Sequence, residues 1–346
     1  MAARNQDEEG LIVLEAQGAR AAIDPSRGGR IVSLRVDGLE LLVAPVEDPI
    51  HSGCFPMAPF AGRVRRGRFS YAGQEHSLAR NMPPHAIHGT TFDRPWEELG
   101  MGHIAIPLGP GWPFPGHAEQ HFHLDPKGLD LRLGVYAGET PFPASAGWHP
   151  WLRRELARGE PAQLHFDAAR MYRRDAAGIP DGVQVAPPAG PWDDCFTGLA
   201  GPPVVVWPGA LRLTLTSDAT HLVIYNEPEH ALCVEPMSGP PDALNLEPRI
   251  VAAGRPLTLR ARLSWERLAP GAEAARDVGG ASATSEASAL EATSTTPRGV
   301  TLPWIGSRPR WQVPCAAARS GGGGGGTFST VPEARCGGGT LGGRGA

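Results

Sequence analysis

Leu257-Thr258-Leu259-Arg260-Ala261-Arg262-Leu263-Ser264-Trp265 alternates apolar and polar side chains without a break. A period of two belongs to the β-strand, whose successive side chains point to opposite faces, so this stretch predicts a strand with one buried and one wetted face. Leu211-Arg212-Leu213-Thr214-Leu215 and Leu131-Arg132-Leu133-Gly134-Val135 repeat the pattern. Further strand candidates are residues 11–16, 19–23, 31–36, 204–207 and 222–225, separated by turn signals at Asp37-Gly38, Pro208-Gly209 and Gly254. One short stretch, Trp151 to Arg158, reads as helical. Many short strands with almost no helix between them predict an all-β chain: a large antiparallel β-sandwich.

This patterning fills residues 1–270, which we read as one domain. Residues 271–346 turn to Gly, Ala, Ser and Thr and contain the run Gly321 to Gly326 and the triplet Gly337 to Gly339. Such a tail buries too little apolar surface to offset its chain entropy, so we expect it to be disordered.

The 346 residues are 41% hydrophobic and 20% charged, with a net charge of -4. The basic run Arg63, Arg65, Arg66, Arg68 is too short for a phosphate-backbone footprint, which excludes nucleic acid as an expected partner. No apolar run is long enough to span a bilayer, and the polar start MAARNQDEEG has no signal-peptide core, so no membrane partner is expected. Five scattered cysteines without a C-x-x-C spacing fit a reducing compartment, and we expect a cytoplasmic protein.

Five clusters place ionisable residues among glycines, prolines and aromatics. They are Pro56-Met-Ala-Pro-Phe-Ala-Gly-Arg63, Pro84-His-Ala-Ile-His-Gly89, Ala146-Gly-Trp-His-Pro-Trp151, Trp192-Asp-Asp-Cys-Phe196 and Cys233-Val-Glu-Pro236. Loops at strand ends commonly carry binding residues. Trp148, Trp151, Trp192 and Phe196 offer flat rings to the C–H faces of a sugar. Each cluster also has a plain structural reading: His149 as a core histidine, Arg63 as part of a solvated strip, Asp193 and Asp194 as turn acids. Glu235 resists that reading. It follows an apolar run and precedes Pro236, which predicts a partly buried place at a strand end, and a buried carboxylate is uncommon unless paired or functional.

Histidines also invite a metal reading. His121-Phe122-His123 resembles the cupin metal motif, but Gly116 lies one residue too close and 124–128 supplies no Glu. On a strand the two histidines simply share a face. No metal is expected.

Taken together and in order, the clusters resemble the aldose 1-epimerase (galactose mutarotase) family, in its bacterial branch, over roughly Leu11 to Leu268. The strongest resemblance lies in Asn81-Met-Pro-Pro-His-Ala-Ile-His-Gly89, Gly147-Trp-His-Pro-Trp151, and Cys233-Val-Glu-Pro-Met-Ser-Gly followed by Asp242-Ala-Leu-Asn245. It implies a galactose mutarotase-like supersandwich that interconverts the α- and β-anomers of an aldose without a cofactor, as monomer or homodimer. Carried over by position, His149 is the general acid and Glu235 the general base, and Arg63, His88 and Asp193 hold sugar hydroxyls, with Asp194 the neighbouring alternative to Asp193. Arg63 follows Gly where the family has Asn, and Thr90 follows Gly89 where it has a second Gly, which bears on substrate choice. A small-molecule sugar is the implied partner. We expect the acid and base charged near neutral pH, facing one pocket about a pyranose ring apart. The alternatives are a hexose 6-phosphate 1-epimerase, with Arg65, Arg66 and Arg68 near the phosphate, and a carbohydrate-binding sandwich without turnover.

Overall fold

The computed structural model describes residues 9–269. The tail 271–346 lies outside them, as do Cys315 and Cys336. Two antiparallel sheets dominate, one of eleven strands and one of eight. The centre of the larger sheet runs Cys54–Met57, Gly147–Arg153, Ala231–Met237, His221–Tyr225, Asp193–Leu199. That of the smaller runs Gly116–Asp125, Gly128–Ala137, Leu257–Arg267, Leu211–Ser217. The alternating stretch Leu257–Trp265 is therefore a central strand, paired with Gly128–Ala137 on one side and Leu211–Ser217 on the other. Leu257, Leu259, Ala261, Leu263 and Trp265 are all buried, whereas Arg260 is exposed. They pack in one apolar cluster with Leu34, Trp148, Leu222, Ile224, Leu232 and Val234 of the facing sheet, which makes the fold a sandwich.

The middle of the larger sheet is buried on both faces. Trp148, Leu152, Leu222, Ile224, Leu232 and Val234 point into the core between the sheets. Their alternate neighbours Phe55, Met57, Trp151, Cys195, Val223, Cys233 and Met237 form a second apolar cluster on the outer face. A strand covered on both sides needs no polar positions, so Ala231-Leu-Cys-Val reads as a continuous apolar run rather than an alternating one. Glu235 lies within this strand rather than at its end, and is 3% exposed.

The helix expected over 151–158 does not form. Gly147–Arg153 is a strand, followed by bends. The charged stretch Arg153-Arg-Glu-Leu-Ala has local helical propensity, but Trp151 and Leu152 are claimed by opposite faces of the sheet, and burial outweighs the few tenths of a kcal/mol per residue that propensity offers. No helix among the described residues is long and apolar enough to cross a membrane.

Candidate active site

The outer face of the larger sheet carries the cleft. Its strand register pairs Gly147 with Met237 and Trp151 with Cys233, which puts His149 directly across from Glu235. On the outer strands His149 pairs with Phe55, and Glu235 with Val223, which in turn pairs with Cys195. One row of side chains thus crosses five strands with the acid–base candidates at its centre. His149 Nε2 lies 3.3 Å from Glu235 Oε1, both side chains being almost fully buried. A pyranose ring's width between them, as expected above, is not what the fold provides: directly opposed residues in an antiparallel pair have Cβ atoms only about 4.5–5.5 Å apart.

Arg63 and His88 reach the same cleft on a loop assembly laid over the sheet. Arg63 pairs with Ile87 and Val64 with Ala86 in a two-residue ladder, extended by the His88 amide donating to the Gly62 carbonyl (3.0 Å). Asn81 locks this ladder. Its side chain donates to the Ile87 carbonyl (3.0 Å) and accepts from the Ile87 amide (2.8 Å), replacing a missing strand. His88 has φ of 61°, a left-handed conformation uncommon outside glycine that turns its ring to the cleft. Gly89 follows at φ 87°, where a Cβ would sit 2.0 Å from the Ala58 carbonyl oxygen. Asp242 and Asn245 act from behind. Asp242 accepts from the Arg65 amide (2.9 Å) and from Asn245 (2.7 Å), and Asn245 also donates to the Arg68 carbonyl (2.9 Å). These motif residues hold the Arg63 segment in place.

Asp193 stands at the start of its strand opposite Tyr225. Arg63 donates to it across 3.4 Å and Arg174 across 3.2 Å, while Arg174 also reaches Asp194 at 2.7 Å. Arg174 was not anticipated. It sits in Ala168–Arg174 with no motif around it, and only the pairing with Asp193–Leu199 brings it to the two acids. His51 and Tyr225, which also line the cleft, carry no local signal either. The cleft encloses about 320 Å³, near the lower end of the ~300–1,000 Å³ usual for small-molecule sites. Of the four aromatics proposed for sugar stacking, Trp151 alone lines it. Trp148 and Phe196 face the inter-sheet core, and Trp192 packs on Phe166 and Phe196.

Phe55 and Trp151 sandwich the His149 ring, at centroid distances of 4.9 Å and 5.5 Å, and His88 meets it edge-on at 5.0 Å. Burial dominates the protonation of the pair. It pushes Glu235 well above the usual carboxylate range, with the charge of Asp193 adding and that of Arg63 opposing. It pulls His149 down to about 3, helped by His51, Arg30 and Arg63. The expectation of a charged acid is thereby corrected: His149 is a neutral imidazole near neutral pH. Beside it, burial shifts Glu235 toward its protonated form, so the pair favours a shared single proton. Burial also raises Asp193 and Asp194 and lowers His88.

Donor atoms of His149, Cys233 and Glu235 lie within 4.8 Å of one another, close enough to meet on one ion. The donor chemistry is poor, because burial raises the Cys233 thiol well above its ordinary value and a metal binds the thiolate.

A family model described as aldose 1-epimerase matches residues 10–264. YphB of Escherichia coli K12, an uncharacterized protein, is 30% identical over 107 residues, 29% of this chain, and the chain spans only 37% of its length. YihR of the same organism, also uncharacterized, is 25% identical over 286 residues, covering 73% of this chain and 92% of that protein. Among solved structures, a galactose mutarotase-like protein from Clostridium acetobutylicum matches with a TM-score of 0.67 at 16% identity, over 75% of this chain and 95% of that one. The fold is shared.

Proposed function

The chain belongs to the aldose 1-epimerase family, and from that premise we propose that it interconverts the α- and β-anomers of an aldose by acid–base ring opening and reclosure. One observation carries the reading: His149 and Glu235 touch across 3.3 Å in a cleft whose walls hold Arg63, His88 and Asp193.

Opening a hemiacetal takes a proton from O1 and gives one to the ring oxygen as the C1–O5 bond breaks. The two transfers need one acceptor and one donor side by side, and a buried pair sharing one proton is such a couple. On sugar binding, hydroxyls donating to the Glu235 carboxyl favour the tautomer with the proton on His149. Glu235 then takes the O1 proton while His149 protonates the ring oxygen, each transfer worth about 10²–10⁴-fold. The aldehyde rotates about C1–C2 and closes from its other face as both protons return. Arg63, His88 and Asp193 hold ring hydroxyls so that only C1 turns.

Charge in the cleft favours a neutral sugar over a sugar phosphate. Arg63 and Arg174 are both spent on Asp193, and Arg174 on Asp194 as well. Arg65 is held by Asp175 at 2.6 Å and by Asp242 at 3.6 Å, and Arg68 faces Glu75 at 3.3 Å. Within the cleft a dianion would have to break the pairs of Arg63 or Arg174.

Polarimetry of freshly dissolved α-glucose and α-galactose tests the proposal. The chain should accelerate mutarotation, and Glu235→Gln and His149→Asn should each remove about 10²–10⁴ of that rate with the fold intact by circular dichroism. Sugar binding without acceleration would instead make the chain a carbohydrate-binding module.

A further inference from the structure

The smaller sheet carries a second cluster of ionisable side chains that the sugar chemistry does not use. Its strand Gly116–Asp125 turns Ala118, Gln120 and Phe122 into the core, so His117, Glu119 and His121 stand on the outward face at i, i+2 and i+4. The neighbouring strand His103–Pro107 places His103 directly opposite His121. His103 Nε2 and His121 Nε2 each lie 3.7 Å from the same carboxylate oxygen, Glu119 Oε2. We propose that His103, Glu119 and His121 form a binding site for a divalent transition-metal ion, with zinc the best match.

Three arguments support the site. The first is distance: zinc bonds of about 2.0–2.2 Å set tetrahedral ligand atoms about 3.3–3.6 Å apart, so two ligand edges need close by only a few tenths of an ångström. The third edge is bounded too, since all three donor atoms lie within 4.8 Å of one another. The second is ring geometry. The His103 and His121 imidazoles stack at 3.9 Å with 17° between planes, an arrangement in which two imidazolium charges would repel; their in-plane lone pairs run nearly parallel, so binding turns one ring about its Cβ–Cγ bond until both Nε2 atoms aim at the ion. His103 Nε2 is buried and, beyond the Glu119 carboxylate at 3.7 Å, has no hydrogen-bond partner among the described residues. The third is support around the ligands, which metal sites use to orient the atoms that bind. His117 Nε2 lies 3.2 Å from the other carboxylate oxygen, Glu119 Oε1, and its ring stacks on Tyr136 at 4.8 Å. Across from Glu119 stands Gly134, whose missing Cβ leaves room for the Tyr136 ring. Arg132, the cation opposite His121, donates to the Tyr136 hydroxyl (3.1 Å).

Two imidazoles and a carboxylate leave the fourth zinc position toward solvent. The site faces away from the inter-sheet core on the smaller sheet, whereas the sugar cleft opens on the outer face of the larger one. The ion therefore joins neighbouring strands and does not touch the sugar.

The test uses the full chain stripped with EDTA and titrated with zinc by calorimetry, with cobalt absorption as a second probe. One ion per chain should bind to the wild type and to Glu235→Gln, and raise the Tm of both. His103→Asn and Glu119→Gln should bind at least about tenfold more weakly while keeping the wild-type anomerisation rate. In the wild type, histidine side-chain NMR should show the Nε2 signals of His103 and His121 moving to ligated positions on zinc addition, a readout that needs no variant to fold. The proposal is overturned by a wild type that does not bind saturably at millimolar zinc, or by undiminished binding in either variant. It is equally overturned if binding disappears in Glu235→Gln, which would put the ion in the cleft beside Cys233.

Discussion

His149 and Glu235 face each other across adjacent antiparallel strands, with Nε2 3.3 Å from Oε1 and neither side chain more than a few per cent exposed. Burial acts on the two in opposite directions, raising the carboxyl and lowering the imidazole. Both shifts favour a neutral pair with one mobile proton, which is the inventory an anomerisation consumes on one oxygen and returns on another.

The pH–rate profile should reflect that single proton. With His149 lowered to about 3 and Glu235 raised well above the carboxylate range, the one-proton state spans everything between. We expect kcat/KM to show no limb near the ordinary histidine value and to fall, as pH rises, where Glu235 loses its proton above the ordinary carboxylate range. A polarimetric profile with its acid limb at an ordinary histidine value, near 6.5, would contradict this.

Glu235→Gln should trade activity for stability. The folded-state pKa of Glu235 lies above its ordinary value of 4.5, so the contribution of this carboxyl to stability is complete below that value and is lost as pH rises toward the folded one. The loss amounts to about 1.4 kcal/mol per pH unit within that window. Glutamine does not ionise and escapes it. Thermal unfolding should therefore show the variant level with wild type under acidic conditions and increasingly more stable above pH 4.5.

Arg30 props the acid from behind. It is fully buried, lies over the Phe55 ring at 5.3 Å, and donates to the carbonyls of Arg27 (2.7 Å), Ser52 (3.2 Å), Phe92 (2.9 Å) and Pro49. Phe55 in turn stacks on His149. Arg30→Ala strands these buried acceptors and should cost about 3 kcal/mol or more in denaturant unfolding. Arg30→Lys should not restore the loss, because an ammonium cannot fan out to four carbonyls as a planar guanidinium does.

Gly89→Ala should be worse than Gly254→Ala, although both glycines have positive φ. A methyl at Gly254 meets nothing within 4 Å, whereas at Gly89 it would lie 2.0 Å from the Ala58 carbonyl oxygen. The Gly254 variant should lose about 1 kcal/mol from backbone strain alone, and the Gly89 variant clearly more. KM should rise only in the latter, since His88 moves with the backbone that carries it.

Much of the architecture is legible in the chain. The alternating stretches at Leu131–Val135, Leu211–Leu215 and Leu257–Trp265 all lie within strands, and Val204–Trp207 matches its strand end to end. Strands covered on one face announce themselves through a period of two. Strands covered on both faces do not, which is why Glu235 reads as a strand end and Trp151 as the start of a helix. The aromatics divide for the same reason: Trp148 and Trp151 flank His149 alike in sequence, but odd parity turns Trp151 to the cleft side and even parity buries Trp148 between the sheets.

By itself the sequence determined that two faces of alternating strands must be buried against each other, because hydrophobic period is a local property. It also carried the ordered motifs that place Arg63, His88, His149, Asp193 and Glu235 among the candidates. Only the tertiary structure decided that these five line one cleft, that Arg174 joins them, and that His149 and Glu235 touch. Contact across strands depends on register, and register is set by the whole sheet. The protonation of the pair follows from that contact and from burial, two quantities that do not exist until the chain has folded.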